Sequence, residues 1–178
     1  MKVSIRLCGL GGQGVILSSV LLGQAAVVEK GLYVSQTQSY GSEARGGQCQ
    51  SELMISNVPI LTPNARQNDI LIAMFQTAYN SYISSLKEGG SLYVDSELVK
   101  DLHNVPAGVT VYKAPFTQEA IALGSQMAAN MVMLGYFVQK TGLIDLDHLK
   151  AALRGAVKKR WLPLNMKAVD KGAEMARD

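Results

Sequence analysis

The run Gly9-Leu10-Gly11-Gly12-Gln13-Gly14 stands between an apolar stretch and a long helical pattern, and its glycines at 9, 11 and 14 satisfy G-x-G-x-x-G. Such a loop turns tightly, lets a ligand approach the backbone, and points amide N–H groups and a helix dipole at an anion. Taken alone, the same glycines also fit a plainer role, in which they only allow a strand and a helix to pack closely. A second cluster, Tyr40-Gly41-Ser42-Glu43-Ala44-Arg45-Gly46-Gly47, is chemically richer. Arg45 offers a planar fork for a carboxylate or phosphate, Glu43 can orient that fork, Gly41, Gly46 and Gly47 free the backbone, and Tyr40 adds a ring with a hydroxyl. The plainer reading of Glu43 and Arg45 is a solvent-facing ion pair of little energetic worth. The two clusters lie about one strand-helix-strand unit apart, the spacing that brings successive strand ends of a parallel sheet together. One site made of two loops, holding a ligand or a neighbouring subunit, is therefore expected.

Other chemistries lack their residues. A dinucleotide site needs an acid near the end of the second strand, and Ser35-Gln36-Thr37 is uncharged there. No Gly-Lys-Ser/Thr follows the first loop, so a Walker-type phosphate lysine is missing. The only histidines, His103 and His148, fall in a loop-like context and on a helical pattern, with no nucleophile beside either. No catalytic residue is assigned. Asp95, at a strand's carboxyl end, sits where α/β sheets place functional groups and equally where a helix cap is needed. Cys8 and Cys49 have no C-x-x-C spacing, which fits reduced thiols and leaves the chain unable to hold a metal site or a four-cysteine iron-sulfur cluster by itself.

The elements that must position these loops follow from periodicity. Val3 to Cys8 reads as a strand, Gly14 to Lys30 as a helix stopped by Gly31, and Leu32 to Gln38 and Cys49 to Ser56 as strands. Asp69 to Phe75 is a compact apolar run, followed by a helix to Leu86, then Gly89-Gly90 and a strand from Ser91 to Val94. Val109 to Tyr112 is a further strand, and beyond Pro115 the pattern is helical over 117–123, 126–140, 145–156 and 164–176. The fold class predicted is α/β: a three-layer, open, mainly parallel sheet of Rossmann-like type, continuing a βαβ alternation, with a helical C-terminal third.

At 178 residues with 48% hydrophobic content the chain is the size of one domain with one core, spanning 1–178. The net charge of +3 is mild, and outside Lys158-Lys159-Arg160 the basic residues are scattered, so nucleic acid is not an expected partner. No secretory pattern follows Met1, and a cytoplasmic location is expected. Residues 120–138 carry no charge, yet Gln126 and Asn130 make them a poor membrane span and a good buried helix. Three of the eight methionines fall at 127, 131 and 133 in this stretch, which is apolar nearly all round. A core helix is the default reading, and a subunit-interface helix presenting Asn130, Met131 and Met133 the sharper one.

Together, GLGGQGV at 9–15, QTQSYGSEARGG at 36–47, NDILIAM at 68–74 and NMVMLGYFVQKTGLI at 130–144 resemble the gamma subunits of 2-oxoacid:ferredoxin oxidoreductases, over most of the chain. The resemblance is closest to the 2-oxoglutarate type, with pyruvate, 2-oxoisovalerate and indolepyruvate relatives sharing both glycine motifs. It implies a single pyruvate/ketoisovalerate oxidoreductase gamma-type domain, an accessory part of an enzyme that decarboxylates a 2-oxoacid on thiamine diphosphate with magnesium. Electrons then pass through iron-sulfur clusters to ferredoxin, and the acyl group is transferred to coenzyme A. The chain lacks the Gly-Asp-Gly and paired asparagines of a thiamine diphosphate site, so the resemblance implies alpha, beta and delta partners that supply these cofactors. It also implies that the loops at 9–14 and 40–47 help to enclose coenzyme A. Two rivals remain: a free-standing NADP-binding reductase in which Ser35 and Arg45 meet the 2′-phosphate, and a structural scaffold whose glycine loops hold no ligand.

Overall fold

The computed structural model of the chain describes residues 1–28, 31–40, 47–62 and 65–177. Six strands form one sheet in the order β2-β3-β1-β4-β5-β6. They are β1 (Lys2–Leu10), β2 (Tyr33–Tyr40), β3 (Gln48–Ser56), β4 (Asn68–Ala73), β5 (Leu86–Asp95) and β6 (Thr110–Ala114). The helices are α1 (Val15–Val28), α2 (Gln76–Tyr82), α3 (Phe116–Ala122), α4 (Ala129–Thr141), α5 (Leu146–Ala156) and α6 (Leu162–Met175). The mainly parallel α/β class and the helical C-terminal third are as the sequence predicts.

The βαβ alternation fails at one place. β3 runs antiparallel to both β1 and β2 and lies between them, whereas β1, β4, β5 and β6 are parallel neighbours. The link from Tyr40 to Gln48 is too short for a parallel crossover, which needs a dozen or more residues, so the chain returns as a hairpin. β1 and β2 are thus not adjacent, and the register Gly9↔Cys49 and Leu10↔Gln48 brings the hairpin's far end to the carboxyl end of β1.

A second difference concerns Gly89-Gly90, expected before the strand and found inside β5. The β4–β5 register shifts between Asn68 and Ile70, and a Cβ at Gly90 would stand 2.7 Å from the Asp69 carbonyl oxygen. These glycines serve a bulge, where two backbones approach, rather than a turn.

Strand alternation divides the core into two faces. Ile5, Leu7, Ile70, Ile72 and Tyr93 face α1 and the C-terminal helices, while Cys8, Leu71, Ala73, Leu92 and Val94 face α2. α4 is buried from Ala129 to Val138, because α6 crosses it closely. A Cβ on Gly172 would overlap the Val132 carbonyl oxygen and one on Gly135 the Val169 carbonyl oxygen. Among the described residues no helix is long and apolar enough to cross a membrane.

Candidate functional site

The first loop is held by its own glutamine. Gln13 Oε1 accepts the Leu10 amide at 2.8 Å, Gln13 Nε2 donates to the Met74 carbonyl at 3.1 Å, and the Gln13 amide donates to the Leu10 carbonyl at 3.1 Å. These bonds bind the turn after β1 to the end of β4. Gly9 makes room for the arrangement, since a Cβ there would lie 2.6 Å from Gln13 Oε1. Gln13 is therefore a positioning residue, and the backbone around it is what faces outward.

Gly12 and Gly14 hold φ of +93° and +73°, in the left-handed region that side chains disfavour. At Gly14 space adds to the requirement, because a Cβ would overlap Asn130 Nδ2. The Gly14 carbonyl accepts from the Ser18 amide at 2.9 Å, the Ser18 hydroxyl at 2.9 Å and Asn130 Nδ2 at 3.3 Å. The Ser18 bond is the first of α1, so the amides of Val15, Ile16 and Leu17 precede the helical ladder and stand at its positive end.

Gly47, the last residue of the second cluster, meets the first loop. The Gly11 amide donates to the Gly47 carbonyl across 2.9 Å, and Tyr40, 64% exposed, closes β2 opposite Cys49. Gly41, Glu43, Arg45 and Gly46 lie outside the described residues.

Two clefts flank this turn, and Gly12 and Met127 line both. One, of about 410 Å³, is bounded by Gly11, Gln13, Met74, Phe75, Leu98 and Thr117. It runs along the carboxyl ends of β1, β4, β5 and β6, where open α/β sheets hold ligands. The other, of about 320 Å³, lies between Gly14, Leu17, Asn130, Met131, Trp161 and Leu164. The sequence reading missed Met127, Trp161 and Met74. The signal available for Trp161 was its place as the chain's single tryptophan, directly after Lys158-Lys159-Arg160.

Asp95 serves as a cap. It is fully buried; Oδ1 accepts from the Glu97 and Leu98 amides at 2.8 and 3.3 Å, and Oδ2 from the Thr117 amide and hydroxyl, each at 2.7 Å. Both oxygens are occupied in fastening β5 to the start of α3, leaving no free carboxylate in the crevice. His103 sits apart from the loops, its Nδ1 3.3 Å from Asp101 and its carbonyl accepting the Tyr79 hydroxyl at 2.6 Å. His148 is on α5. Cys8 and Cys49 are free and buried, and burial pushes both thiols up, away from the reactive thiolate.

The α4 residues expected at a subunit interface are covered within the chain. Met131 and Met133 are each 1% exposed and Asn130 4%, because α6, α3 and α1 cover the helix within this chain. Asn130 and Met131 nevertheless line the smaller cleft at the helix's first turn, whereas Met133 belongs to the core alone. Asn130 Oδ1 is buried without a hydrogen-bond partner among the described residues.

The NADP rival loses its geometry. Ser35 pairs with Met54 near the start of β2, far along the strand from the glycine turn, and antiparallel β3 occupies the position beside β1 that a dinucleotide fold gives to its second strand. Among the described residues no group of three or more His, Cys, Asp or Glu is placed to hold a metal.

Residues 4–175 match the pyruvate ferredoxin/flavodoxin oxidoreductase family. The 2-oxoglutarate synthase subunit KorC of Methanocaldococcus jannaschii is 41% identical, covering 100% of this chain and 96% of that protein. The gamma subunit of a keto/oxoacid ferredoxin oxidoreductase from Geobacter sulfurreducens superposes with a TM-score of 0.85 at 38% identity, covering 98% of each chain. A 2-oxoglutarate:ferredoxin oxidoreductase from Magnetococcus marinus, solved with 2-oxoglutarate, coenzyme A and succinyl-CoA bound, superposes with a TM-score of 0.88 at 27% identity. That match takes in 99% of this chain and 31% of the larger one.

Proposed function

The chain belongs to the pyruvate ferredoxin/flavodoxin oxidoreductase family, and from that premise we propose that it is the gamma subunit of a multi-subunit 2-oxoacid:ferredoxin oxidoreductase acting on 2-oxoglutarate. The observation that carries this reading is the glycine turn after β1, bonded through Gly11 to Gly47 at the carboxyl edge of the sheet, within a chain alike over its whole length to a subunit of 2-oxoglutarate synthase. In this reading the chain's part is structural and positional. Alpha, beta and delta subunits would supply thiamine diphosphate, magnesium and the iron-sulfur clusters, with ferredoxin as the electron acceptor.

This chain's own share of the reaction is to shelter coenzyme A. The thiol of coenzyme A accepts the acyl group; the phosphates need hydrogen-bond donors and positive potential. The Leu10, Gly11 and Gln13 amides bond within the protein, so the donors turned to an anion are the amides that open α1, and φ of +93° at Gly12 keeps a side chain out of the approach. Gln13 holds the turn, Gly47 anchors the hairpin beside it, and Arg45 would add a bidentate fork.

The test is kinetic and compositional. Gentle affinity purification of the chain from its own cells should bring iron, thiamine diphosphate and coenzyme A-dependent oxidation of 2-oxoglutarate in preference to other 2-oxoacids. In that complex Arg45→Ala should raise KM for coenzyme A with assembly intact. Loss of assembly at unchanged KM would instead give Arg45 to a subunit interface, and a cofactor-free monomer would overturn the reading as a whole.

A further inference from the structure

The cleft beside Trp161 is unlike the rest of the surface in three respects. Leu17, Met127 and Trp161 converge on it from α1, from the turn before α4 and from the link before α6, yet remain 36%, 68% and 49% exposed. Large apolar side chains that meet at one concave place and stay open to water have a penalty that burial against another surface would relieve, and aromatic and methionine side chains are the usual anchors of such contacts.

The floor of the cleft is partly polar. Asn130 lines it while 96% buried, its amide nitrogen committed to the Gly14 carbonyl.

The rim is unopposed positive charge. Lys158, Lys159 and Arg160 are exposed between α5 and α6, and none has an ion-pair partner among the described residues, whereas Lys150 and Lys171 on the neighbouring helices pair with Asp170 and Glu119. The Arg160 guanidinium lies 5.3 Å from the Trp161 ring centroid, joining the basic rim to the apolar wall. The amides that open α1 add their positive potential at Gly14 and Leu17.

Resting on the gamma-subunit reading, we propose that this cleft receives an acidic segment of a neighbouring subunit. An apolar side chain of that segment fills the space between Leu17, Met127 and Trp161, and flanking carboxylates face Lys158, Lys159 and Arg160. Charge complementarity selects this occupant: a second copy of the chain would bring the same basic rim against itself. The larger cleft across Gly12 stays open for the coenzyme, so the turn at 9–14 would touch a ligand on one side and a subunit on the other.

The test uses the chain co-produced with the thiamine diphosphate-binding subunits that co-purify with it. Met127→Asp, and separately Lys158→Glu with Lys159→Glu and Arg160→Glu, are compared with the wild type for apparent Kd of assembly over a range of salt, with circular dichroism confirming the fold of each variant. Expected are at least about tenfold weaker assembly for each variant, a flattened salt dependence for the charge reversal, and a blue shift of Trp161 emission when the wild type assembles. Both variants assembling with unchanged Kd, with Trp161 emission unmoved, would overturn the proposal while leaving the subunit reading intact. Failure of the wild type to assemble would overturn both. A response of Trp161 emission in the chain alone to inorganic diphosphate or adenosine diphosphate would assign the cleft to a small anion instead.

Discussion

The amide of Gly11 donates to the carbonyl of Gly47 across 2.9 Å, and this bond joins the turn after β1 to the far end of the β2–β3 hairpin. The two residues are distant in sequence and become neighbours because β3 returns antiparallel alongside β1, so that Leu10 stands opposite Gln48. The bond brings Gly47 to the first glycine turn without requiring β1 and β2 to touch. A site assembled in this way depends on the hairpin as much as on the loop.

Gln13→Ala tests how that loop is held. It would leave the Leu10 amide and the Met74 carbonyl without the partners they have at 2.8 and 3.1 Å. A loss of about 1–3 kcal/mol in urea unfolding is expected, with faster amide exchange confined to the turn. Unchanged exchange there would show that the backbone keeps its shape without the glutamine.

Gly12→Ala and Gly14→Ala should differ although both positions hold positive φ. At Gly12 nothing stands within 4 Å of the added carbon, and the cost is the left-handed conformation alone, about 1–2 kcal/mol. At Gly14 the methyl would also displace Asn130, and a clearly larger loss is expected. Equal unfolding midpoints for the two variants would contradict the role assigned to Asn130.

Gly172→Ala inverts an ordinary expectation. Alanine for glycine inside a helix usually stabilises by about 1 kcal/mol, but here the methyl would meet the Val132 carbonyl across the α4–α6 contact. A net loss of about 1–3 kcal/mol is expected from overpacking, read as a lowered thermal or urea midpoint. A raised midpoint would mean that α4 and α6 part without cost.

Asp69 sets part of the acid limit. Burial pushes its carboxyl up, but bonds from Lys87 and from the Ser4 amide and hydroxyl outweigh this and hold it below the usual carboxylate range. A group with a depressed folded pKa adds stability above its unfolded value, about 3.9, and loses it as pH falls through the lower folded value. Asp69→Asn should therefore be less stable than wild type at neutral pH, and the difference should shrink on acidification below about pH 4. The side chain is about a third exposed, so the effect is modest and weakens with salt. A difference independent of pH would remove Asp69 from the acid transition.

Much of this was legible in the residues. Strand and helix periods placed β1, α1, β3 and α5 within a residue or two, because alternation and helical spacing are local consequences of which side chains must be buried. The glycine spacing at 9, 11 and 14 announced a backbone-lined turn, since positive φ and close approach restrict residue type directly. What the sequence could not determine was pairing. Whether the strand after Gly47 returned parallel or antiparallel depended on the length of a link whose residues read equally as site or connection, and only the sheet order decided it. The same holds for α4. Its all-round apolar character required covering without naming the cover, and it is Gly135 and Gly172, by letting two helices meet backbone to backbone, that place Met133 in the core and leave Asn130 at the floor of a cleft. Local chemistry is written in residue type, whereas partnership between distant segments is an energy of the packed whole.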